Sequence, residues 1–197
     1  VGSMNKSVNR YIPEMMKDSL IMSGITRFAV HSYSGYHAPV DSLIKHSAFP
    51  NMKFWVTEWN AWRDGLDDGI KTAYNYQFAA QCMEYLLDFL KNGATAALVW
   101  EGYDSYYDHH APSLFSYWGI LEYDKGNKTY TPRKHFFAIS QISKYVTPGS
   151  WQVELQNSDS KAPAIAFFNP SRNAPVIVGI NTYNKPTQVE ISLDNFP

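Results

Sequence analysis

The spacing of apolar positions along the chain changes period several times, and each change marks an element. Over residues 9–23, Ile12, Met15, Met16, Ser19 and Leu20 recur at helical spacing and Gly24 is a suitable stop, which predicts one amphipathic helix. Residues 25–33 then read as a strand that ends in polar residues and a Ser34-Gly35 turn signal. A short helix is predicted over 39–46, with Asp41 or Ser42 near its start, and Pro50 breaks it. Residues 52–58 form the second predicted strand. A loop holding Asp64, Gly65, Asp67, Asp68 and Gly69 leads into a long helix over 70–91, closed by Asn92-Gly93. Its predicted inward stripe is Ala73, Tyr76, Ala80, Met83, Leu87 and Leu90. Residues 94–100 are almost continuously apolar, as a parallel strand covered on both faces should be. After a loop over 102–118 come a short strand over 119–123 and a helix that Thr131 caps, with Pro132 at its first position. That helix runs to about Tyr145 and stops at Thr147-Pro148-Gly149.

Alternating helices and strands predict βαβ units with right-handed crossovers and parallel strands. Ligands of such sheets bind outside the carboxyl ends of the strands. Here those ends are His31-Ser32-Tyr33, Thr57-Glu58-Trp59 and Trp100-Glu101-Gly102, so three strands bring polar and aromatic groups to one edge. Beyond Gly149 the pattern becomes all-β. Short strands at 151–155, 163–168, 176–181 and 187–193 have the spacing of an antiparallel sandwich. The expected fold is thus α/β followed by all-β, with an α/β unit over 1–147 and a β-sandwich over 148–197 that the chain leaves unfinished at Pro197.

Composition narrows the function classes. With 45% hydrophobic and 16% aromatic residues, the chain has ample material for a core. Lys plus Arg number 17 against 18 for Asp plus Glu, and no basic run occurs, so a nucleic-acid partner has no electrostatic footprint. The lone Cys82 excludes an internal disulfide and a multi-cysteine zinc site, and it reads as a small apolar residue of the long helix. No run approaches the roughly 18 apolar residues of a membrane span, and the N-terminus lacks the form of a signal peptide. Asp108, His109 and His110 are adjacent, and adjacent ligands rarely converge on one ion, so neither metal nor cofactor is expected. The 14 Tyr, 11 Phe and 6 Trp serve either as core or as stacking surface for flat ligands such as sugar rings.

Phe54-Trp55-Val56-Thr57-Glu58-Trp59 delivers one carboxylate between two indoles where a strand runs out. A charge beside apolar surface is costly unless paired or hydrogen-bonded, so this acid invites a chemical role. Its surroundings carry a resemblance. His31-x-Tyr33, Trp55-x-Thr57-Glu58, Val99-Trp100, Thr131-Pro132-Arg133-Lys134-His135-Phe136-Phe137 and Ser143-Lys144-Tyr145-Val146-Thr147-Pro148-Gly149, in this order, resemble the C-terminal half of clan A glycoside hydrolases, family 30 in particular. In those enzymes a (β/α)8 TIM barrel is followed by a β-sandwich, and the likeness covers residues 8 to 193.

The resemblance implies that the chain supplies about three β/α units, strands six to eight, of a retaining hydrolase of β-glycosidic bonds. Such enzymes degrade oligo- and polysaccharides, which makes carbohydrate the implied partner and a secreted or periplasmic location the favoured one. Glu58 then corresponds to the nucleophile, Tyr33 to the tyrosine that hydrogen-bonds it, His31 to a neighbour that orients the site, and Trp100 to the floor of the sugar subsite. Trp59 and Trp62 would shape the cleft, Tyr103, Tyr106 and Tyr107 would serve outer sugar subsites, and His109 would contact sugar hydroxyls at the rim. Two departures follow. Retention needs a second carboxyl group about 5–5.5 Å away to protonate the leaving oxygen, yet no Asn-Glu strand end precedes His31. The first half of the barrel is also missing, so it is an implied partner too. Glu101 is a weak substitute acid, because strand alternation would turn it away from Trp100. A carbohydrate-binding protein without turnover and a structural module completing a barrel are the two readings from other classes.

Overall fold

The computed structural model describes residues 7–33, 38–61, 76–104, 119–124 and 126–192. The predicted first helix is three pieces: a π-helical turn over Ser7–Tyr11, α1 over Ile12–Met15 and α2 over Ser19–Gly24. Asp18 makes the break. Its backbone is extended and its carboxylate accepts from the amides of Leu20 at 2.9 Å and Ile21 at 3.1 Å, an N-cap that starts a new helix. The break resets the helical phase. Ile12 and Met22 are buried, whereas Leu20, assigned to the inward stripe by its spacing, is 81% exposed.

Next come β1 (Arg27–Ser32), α3 (Ala38–Lys45), β2 (Lys53–Trp59), α4 (Tyr76–Lys91) and β3 (Ala94–Val99). The three strands pair in parallel in the order β1-β2-β3, as the alternation of elements requires. One face of this sheet is buried through Phe28, Val30, Phe54 and Val56, which share a core with Phe78, Cys82, Leu86, Leu87 and Phe89 of α4. The other face carries Arg27, His31, Lys53, Trp55 and Glu58 and stays open to varying degrees. The buried stripe of α4 lies to one side of the predicted one. Phe78 and Phe89 bring more apolar area to the core, and Tyr76 faces solvent. Gly93 has φ +87°, a backbone conformation that favours glycine at this turn, and the Asp41 carboxylate of α3 lies close beside it.

A second small sheet follows: β4 (Tyr103–Asp104) runs parallel to β5 (Leu121–Asp124), which pairs antiparallel with β6 (Thr129–Pro132). Thr131 and Pro132, expected to open a helix, instead lie opposite Glu122 and Leu121 in this ladder. The helix, α5 (Lys134–Ser143), therefore starts later, with Arg133 at its N-cap. Arg133 is buried and anchors the hairpin: its amide donates to Ile120 O at 3.0 Å and its Nη1 to Gly119 O at 2.7 Å.

The C-terminal region forms one antiparallel sheet, β7 (Trp151–Val153), β8 (Ala164–Asn169) and β9 (Ala174–Gly179). Ile165, Phe167 and Val178 join the same hydrophobic core as the parallel sheet. The predicted sandwich needs two facing sheets, and the described residues build one. The expected strand over 187–193 is absent from residues 187–192, where Val189 and Ile191 alternate correctly but stand exposed with no neighbouring ladder to join.

Candidate active site

Regular alternation in β2 would send Phe54, Val56 and Glu58 to one face and Trp55, Thr57 and Trp59 to the other. A bulge reverses the last part of this order. Val30 lies opposite Val56, but the next residue of β1, His31, lies opposite Glu58, so Thr57 is the extra residue. The ladder to β3 shows the same slip, with Ala97 opposite Val56 and Val99 opposite Trp59. Bulges re-aim side chains. Here one turns Glu58 onto the open face beside His31 and sends Trp59 into the core.

At the carboxyl ends of the parallel strands, His31 Nδ1 contacts Glu58 Oε2, with 31% and 23% of the two side chains exposed. The carboxylate is thus reachable but largely shielded. The Tyr33 hydroxyl forms a hydrogen bond with the same carboxylate. Its pKa is pushed above the ordinary tyrosine range, first by burial, then by that hydrogen bond and by the negative charges of Glu58 and Glu101. A phenol held protonated remains a donor to Glu58. Three residues that the sequence placed at two strand ends thus meet at one acid.

Trp59 corrects the sequence expectation of a cleft residue. It is fully buried, and its ring meets Phe89 edge-on with centroids 5.2 Å apart. Trp100 is partly buried just beyond β3, and its backbone is tied to the end of β2. Its N–H donates to Trp59 O at 2.8 Å, and its carbonyl accepts from Asn60 Nδ2 at 2.6 Å. Glu101 lies near enough for its charge to act on Tyr33, and its carbonyl accepts from Ile120 N at 2.9 Å. Because β3 ends at Val99, strand alternation does not govern the Trp100–Glu101 pair, and Glu101 approaches the cleft that alternation assigned to Trp100 alone.

Tyr103, on β4, is 53% exposed and belongs to a three-ring cluster. Its ring stands at 75° to Tyr123 and 87° to Tyr130, while the latter two, facing each other across the hairpin, lie 4.9 Å apart at 33°. Tyr123 and Tyr130 are not singled out by the sequence, because Thr131-Pro132 reads as a helix start and hides the strand that pairs with residues 121–124. The Asp124-Lys125-Gly126-Asn127 turn is the signal for that hairpin. Trp62, Tyr106, Tyr107 and His109 lie outside the described residues. Among the described residues no group of three or more His, Cys, Asp or Glu could hold a metal ion, and no helix is long and apolar enough to cross a membrane.

By fold, the chain resembles part of the glycoside hydrolases. Two of the particular structures are SrfJ from Salmonella typhimurium, with a TM-score of 0.70 and 18% identity over 86% of this chain and 37% of its own, and the endo-β1,6-glucanase BT3312, with 0.70 and 17% over 86% and 38%. A GH39 β-xylosidase from Caulobacter crescentus matches with a TM-score of 0.53 and 18% identity, over 85% and 37%. The chain spans well under half the length of each. No family model and no curated protein matches its sequence.

Proposed function

We propose that this chain is the part of a retaining β-glycoside hydrolase that carries the nucleophile, Glu58. One observation carries the reading: a bulge turns a strand-end carboxylate onto the open face of a parallel sheet, where His31 and Tyr33 hold it. In the first step a Glu58 oxygen donates an electron pair to the anomeric carbon as the bond to the leaving oxygen breaks, giving a glycosyl ester. Water then attacks that carbon, the ester bond breaks, and the carboxylate is regenerated. Tyr33 and His31 donate hydrogen bonds to the carboxylate and fix which oxygen faces the sugar. The proton for the leaving oxygen comes from a second carboxyl group on the remainder of the barrel. Among the described residues the Arg27–Trp55–Glu58 face of the sheet has no element packed over it, which supports a role for that remainder there. Trp100 is the sugar platform, and Tyr103 with Tyr123 and Tyr130 is an outer one.

The tyrosine cluster also favours a second reading, a carbohydrate-binding protein without turnover. Aryl β-glycoside hydrolysis by the intact protein and by Glu58→Gln separates the two. Loss of roughly 10⁴-fold in kcat in the variant supports the nucleophile, by analogy with removal of other catalytic side chains. Equal rates in the two proteins contradict it, and sugar binding without turnover in either, lost in Trp100→Ala, favours the second reading.

A further inference from the structure

The residue that follows Trp59 is polar and fully buried, and its amide reaches both the backbone of Trp100 and Cys82 of the long helix. We propose that Asn60 is a positioning residue of the cleft, holding the backbone of Trp100, and through it the indole, at a fixed place relative to Glu58. The inference rests on the glycosidase reading above for its kinetic consequence, though not for its geometry.

A buried amide is tolerated when its hydrogen bonds are made. Asn60 Oδ1 accepts from the Ala61 amide at 2.8 Å and from Cys82 Sγ at 3.5 Å. The Ala61 N–H can only donate, which identifies the amide atom facing it as Oδ1, and burial pushes the Cys82 thiol up to about 12, so it keeps a proton that it can give to the same oxygen. The other end of the amide must then be Nδ2, and it faces Trp100 O, which can only accept, at 2.6 Å. The Trp100 N–H meanwhile donates to Trp59 O at 2.8 Å. Both backbone polar groups of the platform residue are therefore held by the two residues directly after Glu58. A displacement of one strand end is passed to the other through two short bonds. Exchanging the amide for a carboxylate sets oxygen against oxygen at Trp100, and exchanging it for an alkyl group leaves the carbonyl without this donor.

The test uses Asn60→Leu and the milder Asn60→Asp in the intact protein, with Leu86→Ala as a control that disturbs only the core. Misplacing a platform that binds ground state and transition state alike raises KM and leaves kcat unchanged. KM for an aryl β-glycoside is expected to rise about tenfold in both Asn60 variants with kcat little changed, while Leu86→Ala lowers Tm and leaves KM alone. Acrylamide quenching of the Trp100 emission, isolated by difference against Trp100→Phe, is read in the same proteins and needs no turnover. A change in that component in the Asn60 variants upholds the positioning role even if the wild type cleaves no glycoside, in which case only the glycosidase reading falls. A lowered Tm with unchanged KM and unchanged quenching would overturn the proposal, and Asn60→Asp answers alone should Asn60→Leu fail to fold.

Discussion

Tyr33 keeps its proton where an ordinary tyrosine would lose it, because burial, the hydrogen bond to Glu58 and the charges of Glu58 and Glu101 all act against the phenolate. In the unfolded chain the same phenol ionises near pH 10. Its folded pKa is the higher of the two, so above about pH 10 the native state binds more protons than the unfolded one, and stability falls as pH rises there. Below that range the contribution is fully present. Urea unfolding at pH 8 and pH 11 should show a larger loss of stability in the wild type than in Tyr33→Phe, and equal losses would contradict the placement. The identity of Glu58 and its companions was legible in the sequence, since strand ends and residue types sufficed to bring them to one edge. Which of two adjacent residues faces the cleft was not. Alternation assigns Glu58 and Trp59 to the wrong faces, and the extra residue Thr57 that corrects them leaves no mark in the hydrophobic pattern.

At the scale of elements, Glu58 depends on what lies behind it. Trp59 locks the end of β2 into the core by packing on Phe89 of α4, and both rings are fully buried. Phe89→Ala should cost about 3–5 kcal/mol through lost burial and the cavity left under the indole. A urea midpoint displaced by less than about 1 kcal/mol equivalent would mean that the ring does not support the strand end. The parallel strands, α3 and the long helix were readable because their apolar spacing extends over several turns or a whole strand. Shorter features depended on single polar groups or on pairing. Asp18 splits the first helix with one carboxylate, and Thr131-Pro132, a sound helix start by composition, is captured by a ladder with β5 that local sequence does not reveal. The stripe on α4 was misplaced for a related reason: period fixes the width of an apolar face, while the volume of Phe78 and Phe89 decides its centre.

Among the described residues, the parallel sheet buries one face and leaves the other open, with β1 and β3 at its edges. Open parallel sheets are uncommon, because strands of this kind are covered on both faces in closed barrels and doubly wound folds. Coverage of 37–38% of SrfJ and the glucanase is consistent with an architecture whose remaining strands lie elsewhere. The ordered motifs anticipated the likeness to glycoside hydrolases and the parallel α/β order, whereas strand spacing predicted a sandwich of which the described residues show one sheet, because spacing alone does not say what each strand pairs with. If Glu58 is the nucleophile proposed above, it becomes covalently glycosylated in the intact protein. The most direct test is incubation with 2,4-dinitrophenyl 2-deoxy-2-fluoro-β-glycosides, followed by mass spectrometry of proteolytic peptides. The fluorine slows both steps by destabilising the oxocarbenium-like transition state, and the leaving group, which needs little protonation, keeps the first step fast enough for the ester to accumulate. A glycosyl adduct is expected on the peptide containing Glu58, and its loss in Glu58→Gln. An adduct on a different carboxylate, or hydrolysis of ordinary glycosides with inversion and no adduct, would contradict that role for Glu58.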